Sequence, residues 1–264
     1  MSSWAALRSE LDRWQEAGLS ASFWWRDDDA ETPSPALDRL LALRTSRDLP
    51  LALAVIPAGS GTALADRLRP EKGLRVLQHG YAHRNHAPGS EKKIELGRHR
   101  PLARVMAELR AGRGKLESLF GACFQEVVVP PWNRIDALVV GALAPAGYQG
   151  LSVFGPRAAR RSKDGLILTN CHLDVMDWDS RHFAGTAPTL KRAVLHLRLR
   201  RLGHGDRAEP TGLMTHHLAH DRAAWDFIAR FLDETKGHPA GRWIGSGMAF
   251  RRPAASPRGA GRAA

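Results

Sequence analysis

The sequence predicts an α/β fold built on a mainly parallel sheet, and three features predict it. Short apolar runs of strand length alternate with stretches of helical period along the chain. Prolines and glycines punctuate the boundaries between them. Polar clusters directly follow four of the expected strands, the position where α/β folds gather functional groups.

Taken in order, residues 3–17 carry Trp4, Leu7, Leu11 and Trp14 at helical spacing. Residues 22–25 form a short apolar run. Residues 35–45 predict a helix with Pro35 in its first turn. A strand is expected over 51–56, between Pro50 and Pro57. Next come a helix over 62–68, a strand over 74–78 and a polar, His-rich loop to about Arg100. A long helix over 102–120 is weakened by Gly112 and Gly114. A strand over 126–129 precedes a helix over 134–144, stopped by Pro145 and Gly147. Short strands over 150–154 and 166–169, a helix over 189–201, a strand over 212–215 and a helix over 222–235 complete the pattern. Periodicity fits a barrel and an open sheet equally.

The 264 residues are 43% hydrophobic and 25% charged, an ordinary globular balance. Residues 1–250 are read as one domain, and the Arg-, Pro- and Gly-rich 251–264 as a disordered basic tail. Two cysteines, Cys123 and Cys171, are too few for a disulfide framework. Charges at Arg8, Glu10, Asp12, Arg13 and Glu16 interrupt any signal-peptide core, and no stretch reaches the roughly 18 to 20 apolar residues of a membrane span. A cytoplasmic location is expected. The net charge of +12 admits nucleic acid, an anionic surface or an anionic substrate. The densest helical cluster, Lys191–Arg201, reads as an amphipathic helix with a solvated basic face. No nucleic-acid-binding signature accompanies it, so nucleic acid ranks below an enzyme.

The clusters are Arg26-Asp27-Asp28-Asp29, His79-Gly80-Tyr81-Ala82-His83, Pro130-Pro131-Trp132-Asn133-Arg134 and His216-His217. Adjacent carboxylates repel, and burying them after Phe23-Trp24-Trp25 demands a compensating cation. Imidazoles four residues apart can converge on one ion. One Asp and two His would leave a position open for water, the layout of a catalytic metal site.

The ordered set resembles the polysaccharide deacetylase family of chitin, chitooligosaccharide and peptidoglycan deacetylases. The matching segments are Trp25–Asp29, His79–His83, Val129–Asn133, Asp174-Val175-Met176-Asp177-Trp178 and Met214-Thr215-His216, in the family's order. The resemblance implies a distorted (β/α) barrel and removal of an acetyl group from an N-acetylated sugar or related amide. It implies one divalent ion, zinc by default, held by Asp28, His79 and His83, with Asp27 as catalytic base and His216 as acid. A shift by one residue, with Asp28 as base and Asp29 as ligand, stays open because the run has three carboxylates. A backbone amide near Tyr81 or Trp132 would hold the oxyanion. The resemblance assigns Tyr81, Pro131, Trp132 and Trp178 to the substrate, and Arg134, Asp174 and Asp177 to support. The family's Arg before the Pro-Pro turn is Val129 here, and Arg134 or Arg26 could take its place. That displacement motivates the competing reading, a catalytically inactive glycan-binding or interaction module.

Overall fold

The computed structural model describes residues 3–251. The tail expected over 251–264 lies outside them except for Arg251. The elements run α1 (Ser3–Glu16), β1 (Ala21–Ala30), α2 (Pro35–Thr45), β2 (Leu51–Val55), α3 (Thr62–Leu68), β3 (Leu74–His79), α4 (Leu102–Phe120) and β4 (Phe124–Val129). They continue α5 (Ala137–Leu143), β5 (Gly150–Leu151), β6 (Ile167–Leu168), β7 (Leu173–Asp174), β8 (Met176–Asp177), β9 (His182–Phe183), α6 (Thr186–Leu202) and β10 (Thr211–Thr215). Last are α7 (Arg222–Lys236), β11 (Gly241–Trp243) and α8 (Ser246–Ala249).

The strands are parallel in the order β6-β5-β4-β3-β2-β1-β10-β7, with β11 added to the start of β1. The stretch containing β6 and β7 closes the circuit. Its first half pairs with β5, and Thr169 and Cys171 continue that pairing through Leu151 and Val153. Its second half pairs with β10. The sheet is a distorted (β/α) barrel, as the family resemblance implied.

Strand alternation sorts the side chains into two layers. Phe23, Trp25, Leu51, Leu53, Val55, Leu74, Val76 and Leu213 face outward and pack under the helices in the largest apolar cluster. Trp24, Ala52, Ala54, Leu77, Val129 and Met214 form a smaller cluster inside the barrel. The alanines of β2 leave room there for Arg26, which is wholly buried. The helices obey their sequence signals: Ser34 caps α2 through Leu37 N at 3.1 Å, and Asp221 caps α7 through Ala224 N at 2.7 Å.

One expectation needs correction. The acidic run was expected just after the first strand, yet β1 continues to Ala30 and contains all three aspartates. The hairpin of β8 and β9 and the short strand β11 also went unpredicted, since two- or three-residue strands carry no readable period.

Candidate active site

The site is set by a β-bulge. Asp27 pairs with Leu53 and Ala30 with Val55, so β1 takes three steps where β2 takes two. Regular alternation would send Asp28 inward and both neighbours outward. The extra residue, with Asp29 at φ 68°, turns Asp29 inward as well. Asp28 and Asp29 therefore share a cavity of about 330 Å³ with His79, His83, Trp132, Asn133, Arg134, Phe154, Asp174, Trp178, Met214 and His216.

Asp27 does not reach that cavity. It points to the outer layer, where its carboxylate accepts bonds from Thr215 Oγ1 at 2.6 Å and His217 N at 3.1 Å, and meets His217 Nδ1 at 2.5 Å. Burial opposes its charge, but His217 outweighs burial and holds the carboxyl below the ordinary range. His217 is raised in turn, against burial, by Asp27. The same alternation separates the two histidines after β10. His217 continues the outward side of Leu213 and Thr215, and His216 the inward side of Met214.

The carboxylate facing His79, which ends β3 and does not begin the loop, and His83 is that of Asp29, not Asp28. Asp29 Oδ1 lies 2.9 Å from His79 Nε2 and 3.3 Å from His83 Nε2. His79 Nδ1 donates to Val129 O at 2.9 Å, so the neutral ring turns its Nε2 lone pair toward that carboxylate. Two acceptors face each other there unless a cation or proton intervenes. Burial lowers His79, but Asp29 and Asp28 outweigh it and raise the ring above its ordinary value. Burial likewise opposes the charge of Asp29, yet His79, His216 and His83 hold the carboxyl well below the ordinary range. The trio draws positive charge inward, and its donor set fits a divalent ion.

Asp28 is held instead by Arg26, two residues earlier on the same strand face. Arg26 Nε and Nη2 meet Asp28 Oδ1 and Oδ2 at 2.8 and 2.9 Å, a bidentate pair. The remaining donors reach Ser152 Oγ at 2.6 Å, Ser152 O at 3.2 Å and Asn133 Oδ1 at 2.8 Å. The guanidinium beside Asp28 thus comes from Arg26 in β1 and not from position 129 in β4, where Val129 stands. Arg134 lines the cavity but spends its bond on Lys93 O at 2.9 Å.

His216 Nε2 is 3.9 Å from Asp28 Oδ2, and its Nδ1 is buried without a hydrogen-bond partner among the described residues. The Trp178 ring stands edge-on to it at 4.5 Å, and Trp178 Nε1 donates to Asp174 Oδ2 at 2.7 Å. Burial pushes the Asp174 carboxyl up, against the pull of His216. Asp177 lies apart, exposed, binding Ser180 Oγ and Asp179 N in its own turn. Tyr81 is absent from the cavity lining, and its amide donates to Glu95 Oε2 at 3.0 Å, so it cannot serve an oxyanion. The Trp132 amide is the remaining candidate of the two. Pro131 is buried beneath Gly80 and also takes no part in the lining.

Sequence reasoning missed Glu95 and Ser152, and quoted Asn133 in a motif without giving it a role. Glu95 is buried and also accepts from Ala82 N at 2.8 Å, which fixes the loop carrying His83. Of the six non-glycine residues with positive φ among the described residues, Asp29, His83, Trp132 and Asn133 line this cavity. Backbone strain of that kind concentrates at functional sites. Gly80, at φ 54°, has no room for a Cβ between Glu95 and the Pro131 ring at 2.7 Å. Gly80→Ala is expected to destabilise the protein by about 2 kcal/mol or more, read as a fall in the urea midpoint.

A second cluster, His172, His196 and Glu209, is buried near the starts of β7 and β10, away from this cavity. His172 Nδ1 accepts from Gly212 N at 3.0 Å, so the neutral ring keeps its proton on Nε2, 3.5 Å from Glu209. These bonds describe a packed structural group. Burial lowers His172, holds His196 down at about 2, and holds His220, beside the candidate site, at about 4. Below pH 6.5 the unfolded chain binds the protons that these rings refuse. Stability is therefore full above about 6.5 and falls with falling pH by up to about 1.4 kcal/mol per unit for each ring, until its folded value is reached. His79 and His217, both raised, act in the opposite sense. Denaturant titrations between pH 7 and 5 are expected to give a steeper acid loss in wild type than in His196→Gln.

No known protein-family pattern matches the sequence, and no curated protein matches it. Solved structures do match. A candidate polysaccharide deacetylase from Mycobacterium smegmatis superposes with a TM-score of 0.59 at 16% identity, over 91% of this chain and 96% of that one. The chitin deacetylase of Colletotrichum lindemuthianum gives 0.53 at 15% identity, over 88% of each chain. The chain has the fold of the polysaccharide deacetylases. An acetyl xylan esterase from Clostridium thermocellum, solved in complex with a cobalt ion, shares this deacetylase fold with a TM-score of 0.52 at 13% identity, over 87% and 90% of the two chains.

Proposed function

We propose that the protein is a metal-dependent hydrolase that removes an acetyl group from an N-acetylated sugar or related amide. The observation that carries this reading is the convergence of Asp29, His79 and His83 in one cavity, whose lining also holds Asp28 and His216. Asp29, His79 and His83 would hold one divalent ion. Zinc is the default for two imidazoles and a carboxylate, and cobalt, nickel, manganese or iron suit similar ligands. Such an ion lowers the pKa of water and polarises a carbonyl.

The chain's own groups supply the rest. Asp28, fixed by the Arg26 fork, takes the proton of the attacking water. His216, with its unpartnered Nδ1, delivers a proton to the leaving amine. The Trp132 amide would receive the oxyanion. Trp178 lines the acetyl side beside His216, and the Trp132 ring offers an aromatic face to a sugar. The cavity is of a size for one sugar-sized group. Arg134 in its lining and the net charge of +12 favour an anionic substrate. Two free thiols suit a cytoplasmic setting. The inactive-module reading loses its motive, since Arg26 provides the guanidinium whose absence suggested it.

The test is metal content of the purified protein with an acetate-release assay on phosphorylated and neutral N-acetyl sugars. Bound metal in wild type, lost in His79→Ala and His83→Ala together with turnover, is the expected result. Metal-free wild type that still releases acetate would sink the reading. Equal turnover of neutral and anionic substrates would remove the charge preference alone.

A further inference from the structure

We propose that the outward face of α6 docks on an anionic lipid bilayer. At helical spacing, Lys191, Leu195, Arg198 and Leu202 fall on one stripe, with Arg192 and Leu199 beside it. Leu195, Leu199 and Leu202 are 54%, 36% and 47% exposed. The opposite stripe, including Leu190, Ala193, His196 and Leu197, is buried, so the core does not need the outward leucines. Next to them an apolar groove of about 370 Å³ is lined by Ala6, Ala187, Leu190 and Val194, together with Lys191, Leu195 and Arg198.

Charge selects the occupant. The helix contains no acidic residue. Arg201 is neutralised by Glu10 at 2.7 Å, whereas Lys191, Arg192 and Arg198 form no ion pair among the described residues. A second copy would set these cations against themselves, which disfavours a symmetric dimer through this face. Nucleic acid would satisfy the cations but leave the interleaved leucines in water, and no aromatic side chain here offers a stacking surface. An anionic bilayer satisfies both, with headgroups on Lys191, Arg192 and Arg198 and acyl chains against the leucines. The net charge of +12 adds long-range attraction to such a surface. The surface is independent of the proposed chemistry, so its failure would leave the hydrolase reading intact.

The test is co-sedimentation of the full chain with phosphatidylcholine vesicles, with and without phosphatidylglycerol as about one third of the lipid. Binding is expected only to the anionic vesicles, and weaker at high salt. Reversing Lys191, Arg192 and Arg198 to Glu should weaken it at least about 100-fold, at roughly 5-fold or more per charge. Leu195→Ser with Leu199→Ser and Leu202→Ser should also release the protein at a temperature where circular dichroism shows the variant still folded. No sedimentation with anionic vesicles would overturn the proposal. So would binding that survives loss of the three leucines, or retention of DNA through the same cations without vesicle binding.

Discussion

Asp28→Asn is expected to lower acetate release by about 10²- to 10⁴-fold while metal content stays at the wild-type level. Asp29→Asn is expected to lose the metal and with it the turnover. The contrast follows from the bulge in β1, which gives both carboxylates the cavity but only Asp29 the two imidazoles. Asp27→Asn should behave differently again. It removes the charge facing a buried His217 and turns one of the two accepting oxygens into an NH2 that faces a donor, so its main effect is on stability, about 3 kcal/mol or more. Metal analysis, urea unfolding and initial rates on the three variants separate these outcomes. If Asp27→Asn alone stopped turnover with metal and stability intact, the family's usual register would hold and the geometric assignment would be wrong.

That register was the point at which the sequence ran out. The alternation of strands and helices was legible in the hydrophobic period, and the barrel and the paired His79 and His83 through the family resemblance carried by the order of the motifs. Three consecutive aspartates give no hint of which faces inward, since a bulge is a one-residue event without a period of its own. Arg26 was closer to readable. It stands two residues before Asp28, and strand alternation places such residues on one face. Strand alternation also resolves the late histidine pair: given that Met214 points into the barrel, His216 must follow it and His217 must not. Glu95 could not be found the same way. It sits in an irregular loop, and its role comes from backbone amides that only the folded turn presents.

Removing Arg26 should have the largest effect on the fold. Its guanidinium is fully buried and contacts Asp28, Ser152 and Asn133, which come from three separate parts of the chain. Arg26→Met leaves the Asp28 carboxylate buried without its counterion, a loss of about 3 to 5 kcal/mol. Turnover should fall as well, at least about 10-fold with metal retained, because both N–H groups that fix the carboxylate are gone. Arg26→Lys should rescue little of either. A lysine offers a point charge and three donors, and this site uses a planar fork toward one carboxylate plus bonds to two other segments. The double variant Arg26→Met with Asp28→Asn separates the causes. If the stability loss arises from an unpaired charge, neutralising Asp28 recovers part of the Arg26→Met deficit in the urea midpoint while turnover stays lost. Strictly additive losses would mean that Arg26 acts by filling space among Trp24, Ala52 and Met214, and its claim to replace the missing family arginine would fall with that result.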